Sequence, residues 1–480
     1  MHAAPRLLLI IAVLGSLAAA PPSADAGGSR APAAVRSNVQ SVPLASARTV
    51  GSAREVAGQR GFSMVAVRWR DQRPGLVEVQ TRAPDGHWRP WTELGQMDSS
   101  PDAVRTPDAS EPLWVGDSRA VRIRSDVDEA KLDVVLIDPG RAASDQLPVS
   151  TQAVGMPAVV SRAGWGADES IRCMDADYMT TVKAATLHHT AGTNDYTQAD
   201  SAAIVRGIYV YHAQTLGWCD IGYNVLVDKY GQIFEGAYGG LERAVHGAHA
   251  GGFNAYTFGV SMMGLYTGAV PTPVQLESVA RIMAWKLGGS YRDPRGQVTL
   301  VSTGGGTSRY PAGTAVTLPT IFAHRDVGVT ECPGDDGYRQ LPWLRDRVAA
   351  LVGDWANTPV YRKWQALGGE AGPLGSPHRV EQPAANGGLS AAFAGGLPDA
   401  SIYWSTATDA HEVHGPIALR WAALGAERSY LGYPTSDVFA ISIGQRVNFQ
   451  RGYMVLNQAT GEVADLPYRV GLPKTPRAAG

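Results

Sequence analysis

The sequence predicts an α/β domain with a mixed sheet flanked by helices at the centre of the chain, a β-sandwich before it and a β-rich duplicated region after it. Three observations lead to this prediction. Short stretches of alternating apolar and polar residues lie between turn residues over 61–140, strand and helix patterns alternate over 159–352, and a set of residues recurs after position 357. The 480 residues leave room for about three domains of ~150 residues each.

The beginning of the chain reads as a secretory signal peptide over 1–26. Arg6 precedes an apolar run from 7 to 20, and Ala24-Asp25-Ala26 fits the small-residue pattern of a cleavage site. Neither this run nor any later stretch reaches the roughly 20 apolar residues that cross a membrane, so we expect a secreted protein without a transmembrane segment. Residues 27–60 are rich in Ala, Ser, Gly and Arg, which predicts a disordered leader.

Charge and cysteine content restrict the classes of function. The formal net charge is -2 and 18% of the residues are charged, so the chain has no basic footprint for nucleic acid. Its three cysteines are Cys173, Cys219 and Cys332, and an unpaired cysteine in an exported protein requires an explanation. If Cys332 serves as a metal thiolate, Cys173 and Cys219 remain as a candidate disulfide.

The predicted elements follow in order along the chain. The sandwich, assigned to 61–140, consists of strand patterns at 62–70, 76–82, 120–125 and 132–137, and a linker over 141–158 follows it. The central domain combines strands at 184–190 and 258–265, a hairpin of 223–227 with 232–235, and helices at 200–216, 273–287 and 337–352. The Gly-, Thr- and Ser-rich stretch 302–318 is expected to be an excursion loop.

After Asn357 the chain carries a duplicated unit, which we place over 358–466. Eight residues recur at a constant displacement of 57 positions, among them Trp364 with Trp421 and Leu374-Gly375 with Leu431-Gly432. The units contain no acid-base pair and no metal cluster. Their aromatic residues either bind a polysaccharide or have a structural role: Trp364, Trp404, Trp421, Tyr403 and Tyr433.

Three candidate zinc ligands lie far apart in the sequence, namely His188, His324 and Cys332. Two imidazoles and one thiolate leave a tetrahedral Zn²⁺ with one open position, which is the arrangement of a hydrolytic rather than a structural zinc site. Neighbouring residues of a strand face opposite sides, so only one of His188 and His189 can point at the metal. Because His188 shares a polar face with Thr186, we expect His188 to be the ligand.

Several motifs of the central region occur together, and they point to a known family. They are Ser161-Arg162-Ala163-Gly164-Trp165-Gly166, Leu187-His188-His189-Thr190-Ala191, Trp218-Cys219-Asp220-Ile221-Gly222-Tyr223-Asn224, Gly247-Ala248-His249, Phe253-Asn254, and His324-Arg325-Asp326 through Cys332-Pro333-Gly334. With them, the stretch from about 159 to 350 resembles the zinc N-acetylmuramoyl-L-alanine amidases related to phage-type amidases and peptidoglycan recognition proteins. The duplicated units resemble the LGFP repeats of actinobacterial cell-wall proteins, and the amino-terminal sandwich is similar to the extra domain of actinobacterial amidases.

The resemblance implies roles for particular residues. His188, His324 and Cys332 would hold Zn²⁺, Tyr223 would lie beside the metal-bound water, and Thr330 would lie near the developing oxyanion, where some relatives have Lys. Packing is the alternative role for Tyr223. Glu235, on the neighbouring strand, is a second candidate for the general base, with an ordinary hairpin carboxylate as the alternative. The residues assigned to substrate binding are His249 and Asn254 in the groove, and His189, for which packing is the alternative.

The function implied by the resemblance is zinc-dependent hydrolysis of the amide that joins N-acetylmuramic acid to L-alanine in peptidoglycan. Two alternatives remain: a recognition protein that binds muropeptide without hydrolysis, and a zinc peptidase that cuts within the stem peptide. The thiolate of Cys332 favours an enzyme, because Ser or another weak ligand there would not retain zinc. We expect peptidoglycan as the partner, a further envelope polysaccharide as an alternative ligand of the repeats, and a monomer that acts outside the cell or at its wall.

Overall fold

The computed structural model describes residues 33–70, 75–102, 108–146, 150–151, 155–353, 357–379 and 381–468. The predicted signal peptide lies outside these residues. The prediction of a disordered leader over 27–60 is wrong for its described part, because strands occupy most of 38–60 and Leu44 is fully buried. Small residues dominate the composition of this stretch, so composition alone does not reveal the few apolar side chains that pack there. Within the described residues, no helix combines the length and the apolar character needed to cross a bilayer.

The amino-terminal domain is a seven-stranded antiparallel sheet, which confirms the predicted β domain. Its strands pair in the order β1-β7-β3-β6-β4-β5, and β2 pairs with β3. Both faces of the long strand β3 are buried over 62–67, because Val65 and Val67 belong to one apolar cluster while Met64 and Ala66 belong to another. The strands are β1 Asn38–Pro43, β2 Arg48–Val50, β3 Ala53–Trp69, β4 Val77–Arg82, β5 Thr92–Glu93, β6 Leu113–Ser125 and β7 Leu132–Asp138.

The central domain contains the predicted mixed sheet. Seven strands pair in the order β16-β10-β13-β11-β12-β9-β8, and β14 and β15 form a separate hairpin. The loop predicted at 302–318 connects these two strands only as far as residue 314, because 315–318 lie in β15. Strand β10 is parallel to both of its neighbours, whereas β11 and β12 form the predicted antiparallel hairpin. The strands are β8 Ser150–Thr151, β9 Val159–Val160, β10 Ala184–His189, β11 Val225–Val227, β12 Ile233–Glu235, β13 Thr257–Met262, β14 Gln297–Val301, β15 Ala315–Pro319 and β16 Ile321–Ala323.

Helices pack on both faces of the central sheet. They are α1 Ser201–Val210, α2 Pro273–Gly289, α3 His324–Val327, α4 Asp335–Tyr338 and α5 Leu341–Val352. One apolar cluster joins α2 and α5 to the sheet through Ile282 and Leu344. A second cluster joins Ile204 and Ile208 of α1 to the opposite face, and this cluster also includes Met64 of the amino-terminal sheet. The two domains therefore share an apolar layer.

The duplication is confirmed by two successive units that each combine a helix with antiparallel strands. The indoles of Trp364 and Trp421 are buried, at 3% and 1% exposure, so both serve the cores of their units. Gly368 and Gly425 follow the two helices with φ of 100° and 102°, a conformation that favours glycine. The elements are α6 Pro359–Ala366, β17 Ser376–Pro377, β18 Gln382–Pro383, β19 Leu389–Ala394, β20 Ser401–Ser405, β21 Asp409–Val413, then α7 Gly415–Ala423, β22 Phe439–Ile441, β23 Gly444–Phe449, β24 Gly452–Asn457 and β25 Val463–Pro467.

Candidate metal centre

The sheet register brings two of the candidate ligands to the same level. Strands β10 and β16 run parallel, and Leu187 pairs with Ala323. The next residues, His188 and His324, therefore reach the carboxyl ends of the two strands together, which is the edge where α/β sheets place their ligands. The loop that follows α3 returns Cys332 to this edge, where the backbone N–H of His189 donates to its Sγ over 3.3 Å.

The three side chains form a buried cluster. One donor atom from each of His188, His324 and Cys332 lies within 4.8 Å of the others. The Sγ of Cys332 is 3.7 Å from Nδ1 of His188, and the two imidazole centroids are 4.7 Å apart. Exposure is 0% for both histidines and 1% for the cysteine. The sequence therefore identified three residues that the fold brings together from distant stretches.

The chemistry of this cluster fits a zinc ion. Both ring nitrogens of His324 are buried without a hydrogen-bond partner among the described residues, which is costly for an imidazole unless a further group takes up a lone pair. Burial lowers the pKa of His324 to about 3 and that of His188 well below its usual value, so both rings are neutral near pH 7. Two neutral imidazoles and a cysteine sulfur are a donor set that Zn²⁺ accepts.

A chain of hydrogen bonds fixes the tautomer of His188. Thr257 Oγ1 lies 2.7 Å from the carbonyl oxygen of Phe253, which can only accept, so the hydroxyl donates there. The hydroxyl then accepts from Nε2 of His249 over 3.4 Å, which leaves Nδ1 of His249 as an acceptor. This Nδ1 lies 3.0 Å from Nε2 of His188, which must donate. The lone pair of His188 therefore lies on Nδ1, the atom that faces Cys332.

Tyr223 and Thr330, to which the resemblance assigns catalytic roles, lie at the edge of the cluster. The ring of Tyr223 is 5.5 Å from that of His188, and burial raises its pKa well above the usual value, so the phenol stays protonated. Thr330 Oγ1 accepts from the backbone N–H of Cys332 over 2.8 Å. These two residues bring hydroxyl groups to the edge of the cluster.

The three residues assigned to substrate binding lie elsewhere than expected. His249 is fully buried behind His188, and Asn254 is fully buried with its Oδ1 accepting from the backbone N–H groups of His249 and Ala250, both at 2.7 Å. His189 is 6% exposed, and its Nδ1 accepts from the backbone N–H of Tyr266 over 3.4 Å. In this structure all three organise loops or ligands, and none faces an open groove.

Glu235 does not take part in the cluster. Its carboxylate accepts from the backbone N–H of Arg162 over 3.2 Å, and burial raises its pKa. Its carbonyl oxygen accepts from Nε1 of Trp165. Among the described contacts, the carboxylate of Glu235 meets none of the three candidate ligands, so the structure gives no support for a role as general base.

A disulfide lies near the start of the segment that carries Tyr223. The structure joins Cys173 to Cys219, which leaves Cys332 as the free cysteine. Asp220, next in sequence, forms an ion pair with Arg162 at 3.0 Å. The bridge and the ion pair therefore tether the loop that leads to Tyr223.

Sequence reasoning missed one group at the site, which comes from the amino-terminal domain. The Oδ1 of Asp98 lies 3.6 Å from Nδ1 of His324, and its Oδ2 accepts a hydrogen bond from Thr330. Met97 to Asp102 contains only short polar residues and one proline after its methionine, so its pattern is that of a surface turn. No feature of the sequence connects this turn with residues more than 200 positions later.

Parts of the chain match three family models. Residues 178–335 match the family described as N-acetylmuramoyl-L-alanine amidase, 23–152 match a galactose-binding domain-like amino-terminal domain, and 374–429 match the LGFP repeat.

Single relatives resemble the central part of the chain. Peptidoglycan-recognition protein SC2 of Drosophila simulans is 31% identical over 191 residues, 40% of this chain and 88% of the relative. Peptidoglycan recognition protein 1 of Bos taurus is 30% identical over 182 residues, 38% of this chain and 80% of the relative. Among solved structures, the N-acetylmuramoyl-L-alanine amidase LysC from Clostridium intestinale URNW aligns with a TM-score of 0.26 and 22% identity, covering 35% of this chain and 89% of that one.

Proposed function

Because the chain belongs to the family of N-acetylmuramoyl-L-alanine amidases and peptidoglycan recognition proteins, we propose that its central domain is a zinc-dependent hydrolase of peptidoglycan. The bond cleaved is the amide between N-acetylmuramic acid and the L-alanine of the stem peptide. The observation that carries the proposal is the buried set of His188, His324 and Cys332, whose donor atoms lie within 4.8 Å of one another. A protein that only binds muropeptide has no need for such a set.

The residues of the chain divide the work as follows. His188, His324 and Cys332 hold the zinc ion, which when bound supplies Lewis-acid activation of an amide carbonyl and of a water molecule. His249 keeps Nε2 of His188 protonated and its ring in place. The phenol of Tyr223, whose pKa burial raises, donates a hydrogen bond to an oxygen atom at the reacting amide.

Thr330 supplies a second donor. In this structure its hydroxyl accepts from the backbone N–H of Cys332 and donates to Asp98. Once the contact with Asp98 is broken, the same proton can be donated to an oxygen that becomes negative as the amide is attacked. A well-placed neutral donor of this kind contributes about 3 kcal/mol to a transition state.

Recognition without hydrolysis is the second candidate function. Two of the most similar relatives carry the name peptidoglycan recognition protein, and the groups that border the cluster are in contact with the amino-terminal domain. Mass spectrometry of purified peptidoglycan incubated with the zinc-loaded chain separates the possibilities. We expect free peptides that begin with L-alanine beside glycan without peptides, and no release from a Cys332→Ser control.

Other products would overturn the proposal in distinct ways. Fragments cut within the stem peptide would identify a zinc peptidase, and bound but intact muropeptide would identify a recognition protein.

The flanking regions fit a protein that works at the cell wall. We propose that the LGFP repeats retain the chain on the wall, and retention on sedimented walls with and without residues 358–480 measures this. A wall substrate lies outside the membrane, so the proposal requires export, and the disulfide of Cys173 with Cys219 suits an oxidising compartment.

A further inference from the structure

The segment Met97–Asp102, here called the 97–102 segment, enters the central domain beside the candidate metal centre. It follows β5 of the amino-terminal sheet. Asp98 is the residue nearest to the cluster, since one carboxylate oxygen lies 3.6 Å from Nδ1 of His324 and the other accepts from Thr330. Ser99 Oγ lies 3.4 Å from Oη of Tyr223. The segment therefore contacts a candidate ligand and both of the hydroxyl groups assigned to catalysis.

The remainder of the segment is held by loops of the central domain. Ser100 Oγ is 2.8 Å from Oγ1 of Thr307, and its carbonyl oxygen accepts from Nδ2 of Asn254 over 3.0 Å. Asp102 accepts from the same Nδ2 over 2.8 Å and from the backbone N–H of Gly252 over 2.9 Å. The other oxygen of Asp102 lies 3.2 Å from Nε2 of His246. Ser100 and Asp102 are thus bound by side chains and backbone from several loops of the central domain.

The burial of the segment is unlike that of an ordinary connection. Met97, Ser99 and Ser100 are each 0% exposed. Loops normally run over the surface because buried backbone and hydroxyl groups need partners. Here the central domain supplies those partners, and they include Asn254, which the family resemblance assigned to the groove for the muramyl peptide and which in this structure binds the segment instead. The segment is itself a short peptide with a carboxylate near each end, so it has the chemistry of an acidic peptide ligand.

We propose that the 97–102 segment is an intramolecular occupant of the substrate groove and that Asp98 supplies a fourth donor to the zinc held by His188, His324 and Cys332. The inference rests on the proposed zinc site. Three protein ligands leave a position open for catalysis, whereas four close it. The chain as folded is then a latent form, and a muramyl peptide reaches the metal only when the segment leaves the groove.

Metal binding tests the role of Asp98 without any measurement of turnover. The dissociation constant of Zn²⁺, determined by competition with a chromophoric chelator, should rise about tenfold or more in full-length Asp98→Asn. The visible spectrum of the Co²⁺-loaded chain should also change, because a ligand is lost. Asp85→Asn is the matched control, because this substitution removes the same charge from an exposed turn of the same domain. Equal zinc affinities and equal Co²⁺ spectra in all three chains would overturn the assignment of Asp98.

Hydrogen exchange of the unaltered chain tests the position of the segment and does not depend on the folding of a variant. In metal-free protein, where bound muropeptide is not cleaved, saturating muropeptide should increase amide exchange at Asp98 to Ser100 at least tenfold, while β10 keeps its protection. Unchanged protection at saturation would overturn the inference.

The remaining outcomes separate this inference from the proposed function. Release of the segment and a lower zinc affinity in Asp98→Asn, without any cleavage of peptidoglycan, would retain the inference and refute the hydrolase. Cleavage by the full chain with the segment protected throughout would retain the hydrolase and refute the inference.

Discussion

At the scale of single residues, the candidate centre includes the buried thiol of Cys332, which would lose its proton only in the presence of a cation. Burial, together with the nearby carboxylate of Asp98, raises the pKa of Cys332 well above its usual value. A coordinating metal deprotonates such a thiol, and the two neutral imidazoles beside it add no competing charge. Metal binding would thus explain why Cys332 stays free while Cys173 and Cys219 form a disulfide, which is the argument that identified it in the sequence.

Cys332→Ser should lose both zinc and hydrolysis. A serine hydroxyl ionises far less readily than a thiol, so two imidazoles alone would remain as ligands. We expect zinc affinity to fall by at least about a hundredfold. Metal analysis after dialysis and turnover of soluble muropeptide measure the two effects, and full turnover at stoichiometric zinc would remove Cys332 from the mechanism.

Thr257→Val tests the hydrogen-bond chain behind His188. Valine keeps the shape of threonine but removes the hydroxyl that accepts from Nε2 of His249. The tautomer of His249 is then no longer fixed, and with it the tautomer of His188 that has its lone pair on Nδ1. Zinc affinity should fall about 10–100-fold, the usual cost of losing a group that orients a ligand. Thr299→Val, in the exposed hairpin, is the control. Equal zinc affinity of the two variants would show that the hydrogen bonds of Thr257 and His249 do not orient His188.

The sequence contained part of this centre and not the rest. His188, His324 and Cys332 could be predicted because few side chains bind zinc and because strand alternation separates His188 from His189. The positioning role of His249 could not be predicted, since it depends on how a loop turns its ring toward β10. Asp98 gives no signal of any kind, because a carboxylate in a polar turn is common.

At the scale of elements, strands and helices of the central domain were predictable where periodicity is strong. The helix at Pro273–Gly289 and the hairpin of Val225–Val227 with Ile233–Glu235 appear where the pattern placed them. The helix predicted over 337–352 is divided, since α4 ends at Tyr338 and α5 begins at Leu341 with Pro342 in its first turn. Proline suits that first turn, which explains the break.

The docking of the 97–102 segment should depend on pH through His246. Hydrogen bonding to Asp102, with a second contact to Asp177, raises the pKa of His246 despite partial burial. A raised pKa in the folded state means that this contribution to stability is complete below the unfolded value of about 6.5 and disappears as the pH rises through the folded value. The segment should therefore be held more firmly in mild acid.

Urea denaturation of the wild type and His246→Gln between pH 5.5 and 8.5 checks this expectation. The difference in free energy of unfolding should be largest at the acidic end and should shrink toward the alkaline end. A difference that stayed constant or grew with pH would exclude the His246–Asp102 pair as its source.

At the scale of the whole molecule, the amino-terminal sheet and the central domain are joined more closely than the sequence suggested. Residues 64–67 and 134–137 are apolar at every position, which is a signal of strands buried on both faces. The second face packs on α1, where a Cβ at Gly207 would lie 2.0 Å from Sδ of Met64. The described part of the expected linker at 141–158 is itself packed on the central domain, since Asp145 pairs with Arg206 and Ser150–Thr151 forms a strand of the central sheet.

Arg206→Ala should destabilise both domains together. Its guanidinium, with 1% exposure, pairs with Asp145 at 2.6 Å and also donates to the carbonyl oxygen of Pro139, so truncation leaves a buried carboxylate without its partner. Breaking a buried pair in this way costs about 3–5 kcal/mol. Scanning calorimetry should show a single transition for both domains, shifted to lower temperature, and an unshifted central transition would contradict the shared layer.

The apolar layer between Met64 and α1 has a consequence for how a latent form would become active. A pro-peptide that is cut away activates its enzyme once, and the inhibitor is lost. Here the amino-terminal sheet that carries the 97–102 segment shares an apolar core with α1. The segment would therefore stay attached when it leaves the groove and could return when the ligand departs. Activation of this kind is reversible, and each molecule would switch itself off wherever the wall offers no free peptide.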